Sequence, residues 1–182
     1  LKLQSACIQD PRALEMFGDS QNRIRSMALV HEKLYQSSDL SRVNFSDDVE
    51  SLAALLFRSY GVNASRIRLS IEADQAFLSI ETAVPCGLIV NELLSNCLKH
   101  AFPEKRSGQI RIRISEAPGG DWLLLAVADN GVGLPPGLDL EQTDTLGLQL
   151  VRTLTRQLNG HLELATEGGT EFRVRFPIGK SI

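Results

Sequence analysis

Between Ile67 and Phe176 the spacing of apolar residues switches repeatedly between the period of a strand and that of a helix, which confines the chain to folds that mix the two. Alternating apolar residues predict strands near Ile67–Glu72 and Gln109–Ser115, and Trp122–Ala128 is a denser apolar strand. A helix is expected over Ala83–Ala101 and another over Gly147–Leu158, stopping at Asn159-Gly160. Two last strands, His161–Thr166 and Glu171–Phe176, are joined by the tight turn Glu167-Gly168-Gly169-Thr170. Helices and strands in mixed order, with hairpins near the end, predict a layered α+β sandwich.

The first forty residues read differently. Residues 1–9 resemble the last turns of a helix, broken at Asp10-Pro11 because proline disfavours the helical conformation in the residue before it. A long helix should follow from Arg12 to Gln36, with a seam of Leu14, Phe17, Gln21, Ile24, Ala28, His31 and Tyr35 in alternating steps of three and four. Stub and helix should fold back as an antiparallel hairpin whose stripe needs a partner to cover it. The polar run Ser37–Ser41 separates this partial hairpin, residues 1–41, from a domain over 45–182. That domain should open with a helix over Ser46–Tyr60, Ser46 being its N-cap and Gly61 its stop.

Composition narrows the function. With a net charge of −3 over 182 residues, nothing favours nucleic-acid binding. Lys105, Arg106, Arg111 and Arg113 cluster, but on a turn and one side of a strand, as a solvated face does. No apolar run approaches the roughly 20 residues that span a bilayer, and no export signal opens the chain, so a cytoplasmic location is expected. Cys7, Cys86 and Cys97 form no C-x-x-C pair and read as reduced thiols. The lack of an initiator Met suggests a piece of something longer.

Four short segments carry the chemistry. In Asn91-Glu92-Leu93-Leu94-Ser95-Asn96-Cys97-Leu98-Lys99-His100-Ala101 a helix puts Glu92, Asn96 and Lys99 or His100 on one face. A row of acid, amide and base suits a magnesium–triphosphate, since Mg²⁺ takes oxygen ligands and leans on substrate phosphates. Asp129-Asn130-Gly131-Val132-Gly133 places an acid at a strand end, followed by glycines that let a flat ligand approach the backbone. Thr145-Leu146-Gly147-Leu148 sets a glycine at a helix start, where free N–H groups favour phosphate. Gly168-Gly169-Thr170 closes the last hairpin. Each segment alone is a weak signal.

In this order and spacing they resemble the N, G1, G2 and G3 boxes of the Bergerat-fold ATPases, which include histidine kinases, gyrase, Hsp90 and MutL; the resemblance runs from Phe45 to Pro177. It implies a Bergerat-type α/β sandwich, with ATP and Mg²⁺ as ligands. By the same resemblance Asp129 accepts from the adenine amino group, Asn96 holds Mg²⁺, and Glu92 positions water or metal. Lys99 and His100 approach phosphate or ribose, and Gly131 and Gly133 pass close to the base. Gly147 and Leu148 line the phosphate end, Thr170 joins the adenine site, and Leu134–Leu146 forms a lid.

Met27–Leu40 resembles the second dimerisation helix of sensor kinases related to the HWE group, and Leu1–Ser5 the tail of their first helix. Asn91 stands where HWE kinases carry histidine, and Trp122-Leu123-Leu124 lacks their Trp-x-Glu, so the resemblance is to the sister, HisKA-2-like type. It implies a protein histidine kinase core that dimerises through the hairpin and passes phosphate to a response-regulator receiver domain. The acceptor belongs on the first helix, so His31 is expected as a packed residue and this stretch to lack the acceptor. A nucleotide-responsive scaffold and another ATPase of the same fold are the alternatives. His161 should simply be exposed, Cys97 should pack as a small hydrophobe, and Gly179-Lys180-Ser181 is no P-loop because Val174 stands where its first glycine belongs.

Overall fold

The computed structural model describes Asp10, Ser20, Ile24, Ala28 and residues 43–178, apart from 64, 75, 118–119 and 135–144. Ser20, Ile24 and Ala28 are helical and exposed; the rest of the expected hairpin, His31 included, lies outside the described residues, as does most of the expected lid.

Five strands form one sheet: β2 (Ile67–Ala73), β4 (Gly108–Glu116), β5 (Trp122–Asp129), β6 (His161–Ala165) and β7 (Thr170–Pro177), in the order β2-β4-β5-β7-β6. β2 and β4 are parallel and the other neighbours antiparallel. The alternation seen in the sequence becomes two faces. Ile110, Ile112 and Ile114 of β4, Leu123, Leu125 and Val127 of β5, and Phe172, Val174 and Phe176 of β7 point into the core. Each such side chain contributes about 1.5–3 kcal/mol on burial. The opposite face carries Arg111, Arg113, Arg173 and Arg175. Glu72 accepts ion pairs from both Arg111 and Arg113, at 3.4 and 3.3 Å, so part of the basic cluster is paired across strands as well as solvated.

Three helices cover the core face. α1 (Phe45–Ser59) buries Phe45, Val49, Leu52, Ala53 and Leu56, one stripe at helical spacing. α2 (Ile80–Asn96) packs between α1 and α3 (Leu146–Gln157), and the long crossover containing α2 is what lets β2 and β4 run parallel. α2 starts three residues before the expected Ala83. Pro85 invites a start beside it, but Ser79 caps the helix earlier, its carbonyl accepting from the N–H groups of Thr82 and Ala83 at 3.0 and 2.8 Å.

Ser46 is not the N-cap of α1. It lies inside the first turn, and its hydroxyl donates to the Asp74 carbonyl at 2.7 Å and accepts from the Ala76 N–H at 3.4 Å. The cap position is Asn44, in a two-residue strand β1 (Val43–Asn44) that pairs with β3 (Phe77–Leu78), two elements too short to register in the sequence pattern. Both expected helix stops hold. Gly61, at φ +60°, ends α1 with Gly61 N–H to Arg58 and Val62 N–H to Phe57. At the end of α3 the left-handed residue is Asn159, at φ +53°, not Gly160. Gly160 is required for another reason: a Cβ there would lie 2.6 Å from the Arg175 carbonyl oxygen.

Candidate functional site

The carboxyl end of β5 brings three of the four segments together. Asp129, its last residue, is half-buried and stands opposite Thr170 of β7, which is 8% exposed. The turn before Thr170 threads against it: a Cβ on Gly169, at φ +144°, would fall 1.9 Å from the Asp129 carbonyl oxygen. Gly133, at φ +76°, faces the same turn, its Cβ position 3.5 Å from the Gly169 carbonyl oxygen. Asp129, Gly131, Gly133 and Thr170 thus form one wall of backbone with a carboxylate set in it. Glycine is needed at 169 for the close approach and at 133 for the positive φ.

The second wall is the end of α2. There the helix widens into a π-turn, Cys97–Ala101, and this turn rather than the straight helix meets the Asp129 loop. The Val132 N–H donates to the Ala101 carbonyl at 3.0 Å, and a Cβ on Gly131 would lie 2.3 Å from that same oxygen. The Cys97 thiol donates to Asp129 Oδ2 at 3.5 Å, and the Gly131 N–H donates to Oδ1 at 2.8 Å. Burial pushes the Cys97 thiol well above its ordinary pKa, and the charge of Asp129 and the hydrogen bond to it push in the same direction. Cys97 is buried, as expected of a small hydrophobe, but it is also a donor to the central acid of the site.

On α2 itself Glu92 is 1% exposed, Asn96 is half-buried, and Asn91 is buried with its side-chain oxygen lacking a partner among the described residues. Beyond Asn96 the π-turn breaks strict α-helical register, leaving Lys99 half-buried and His100 in solvent. Gly147 and Leu148 are buried in the first turn of α3, which packs on α2. Asn130 braces the loop from outside: its Oδ1 accepts from the Gln109 N–H at 2.7 Å and its carbonyl from Arg106 at 3.1 Å. Cys97, Ala101, Asn130 and Gly169 all lie inside the segments singled out in the sequence, which gives none of them a part in the site.

A family model described as histidine kinase matches residues 1–60, and the model for histidine kinase-, DNA gyrase B- and HSP90-like ATPases matches residues 81–180, more than half of the chain. This chain belongs to that ATPase family, in its histidine-kinase branch. The sensor histidine kinase PdtaS of Mycobacterium tuberculosis is 34% identical over 184 residues, which cover 99% of this chain and 36% of PdtaS. Blue-light-activated histidine kinase 2 of Erythrobacter litoralis is 32% identical over 160 residues, covering 85% of this chain and 44% of that protein. The solved histidine kinase domain of the Erythrobacter litoralis EL346 blue-light-activated kinase superposes with a TM-score of 0.77 at 25% identity, covering 88% of this chain and 75% of that one. The chain thus spans well under two thirds of the curated relatives it matches. The α+β sandwich expected of a HisKA-2-like kinase core is the fold it has. Among the described residues no helix is long and apolar enough to cross a membrane.

Proposed function

We propose that the chain binds ATP with its adenine on Asp129 and delivers the γ-phosphoryl group to a histidine on dimerisation helices, for onward transfer to a response-regulator receiver domain. The observation that carries this reading is the carboxylate of Asp129 set in a glycine-lined backbone wall, Gly131, Gly133 and Gly169, with the π-turn that ends α2 docked against it. An ionised carboxylate only accepts hydrogen bonds, which matches the exocyclic amine of adenine. Thr170, paired with Asp129 across the strands, would add its hydroxyl to the same edge.

Asn96 would hold Mg²⁺ through its side-chain oxygen, with the acid Glu92 positioning water or metal beside it. One amide and one acid are a sparse set, which suits an ion whose remaining ligands are phosphates and water. The ion would supply charge neutralisation between the phosphates. The chain's own groups would orient the nucleotide: Lys99 as a cation toward phosphate, His100 toward phosphate or ribose, and Gly147 and Leu148 with the backbone N–H groups of the α3 N-terminus. Phosphoryl transfer asks little covalent help from the protein, so positioning and charge are its main contribution. Residues 1–41 would form part of the dimerisation hairpin and 45–182 the catalytic domain.

Transfer can be tested in trans. A helical hairpin bearing an acceptor histidine, incubated with this chain, Mg²⁺ and [γ-³²P]ATP, should gain acid-labile, base-stable label. Asp129→Asn should abolish it. Nucleotide binding with no label in any such pairing would overturn the kinase reading and favour a nucleotide-responsive scaffold.

A further inference from the structure

We propose that Cys97 is a positioning residue for Asp129, its thiol fixing the carboxylate in the orientation that receives the amino group of adenine. The inference rests on the reading of Asp129 as the adenine contact. A carboxylate turns easily about its terminal torsion, which has broad minima. Among the described residues two donors hold it, one per oxygen: the Gly131 N–H on Oδ1 from the loop and the Cys97 S–H on Oδ2 from the helix. Each oxygen keeps acceptor capacity for a ligand. Orientation set before binding is not lost on binding, and this is how a preorganised site gains affinity.

The end of α2 presents the thiol, and the π-turn that follows docks it on the loop. Cys97 opens the turn and Ala101 closes it. Ala101 is locked to the loop through its carbonyl, which accepts from Val132, and through its contact with Gly131. Cys97 and Asp129 are therefore held by the same docking of helix on loop. Cys97 is 7% exposed while Asp129 is half-buried, so a ligand reaches the acid without touching the thiol. The thiol faces Oδ2 directly, at 3.5 Å, and the carboxylate oxygen can only accept from it. A small apolar side chain would fill the same space but leave Oδ2 without this donor.

The test measures affinity for ATP and for purine riboside triphosphate, which has hydrogen in place of the amino group, in wild type, Cys97→Ala and Cys97→Ser. Melting temperatures are recorded alongside. Cys97→Ala should weaken ATP binding about three- to tenfold, as loss of one weak hydrogen bond to a charged group does. Cys97→Ser, which restores a donor, should stay within about twofold of wild type. Neither should change affinity for the analogue, because the effect runs through the amino group. Equal weakening of both nucleotides would show packing alone and overturn the proposal, as would wild-type affinity for ATP in Cys97→Ala. Should Cys97→Ala fail to fold, a loss of ATP binding in folded Cys97→Ser refutes it independently. Wild type binding both nucleotides alike would instead refute the underlying reading of Asp129.

Discussion

Replacing Gly131 with alanine should break the site and weaken the fold through one contact. Gly131 has no positive φ, so alanine can adopt its backbone conformation and the effect is purely steric. The added methyl would lie 2.3 Å from the Ala101 carbonyl oxygen and 2.5 Å from the Ala101 Cβ, within an element that cannot swing aside like a side chain. Relief requires the loop to back away by about 1 Å, since carbon pairs pack at roughly 3.5–4.0 Å. That movement stretches two hydrogen bonds between loop and helix, Val132 N–H to Ala101 and Cys97 S–H to Asp129. At about 1 kcal/mol each, with about 1 kcal/mol of overpacking, the loss is about 3 kcal/mol. In a chain of this size that lowers the melting temperature by about 6–12 °C. Because Asp129 is displaced, ATP affinity should fall more than about tenfold. Gly168→Ala is the control. Its φ is +74° but nothing lies within 4 Å of its Cβ position, so it should cost about 1 kcal/mol and leave affinity unchanged. Calorimetric melting and ATP titration of both variants check this. A Gly131→Ala protein that melts with the wild type and binds ATP equally would refute the docking of loop on π-turn.

Three further outcomes follow from the same packing. Phe176→Ala empties a fully buried position on β7 and should destabilise by about 3–5 kcal/mol in urea unfolding, whereas a loss under about 1 kcal/mol would contradict the burial. Burial raises the thiol pKa of both Cys86 and Cys97, so the native chain should resist iodoacetamide at pH 8 at both positions; peptide mapping that finds either labelled without denaturant would count against the core. Arg173 holds Glu171 below the usual glutamate pKa, chiefly through a direct hydrogen bond. A depressed carboxylate stabilises above its unfolded pKa and loses that effect as pH falls through the folded value, so Glu171→Gln should melt below wild type at pH 7 and converge with it in acid. A difference that persists undiminished in acid would contradict the pairing.

The layers of the fold were legible because burial alternates. Ile110, Ile112 and Ile114 declare one face of β4, and Val49, Leu52, Ala53 and Leu56 declare one face of α1. What stayed hidden depends on partners distant in sequence. Ser46 looks like a cap because it precedes Asp47 and Asp48, yet its hydroxyl serves the loop at Asp74 and Ala76. Gly160 looks like a helix stop but is small for the sake of Arg175 on β7. In the site, Asp129, Gly131 and Thr170 stood out by residue type, while Cys97 did not. Nothing in its neighbours on α2 announces a carboxylate 32 positions away. The π-turn was equally invisible, since residues 97–101 continue the helical pattern that precedes them.

The central claim is that Asp129 anchors a nucleotide, and a calorimetric titration of ATP into wild type and Asp129→Asn, with and without Mg²⁺, tests it most directly. The account predicts saturable binding by wild type, strengthened by Mg²⁺, and a loss of at least about tenfold in Asp129→Asn with the fold intact. Equal binding by both proteins, or none by folded wild type, would contradict it.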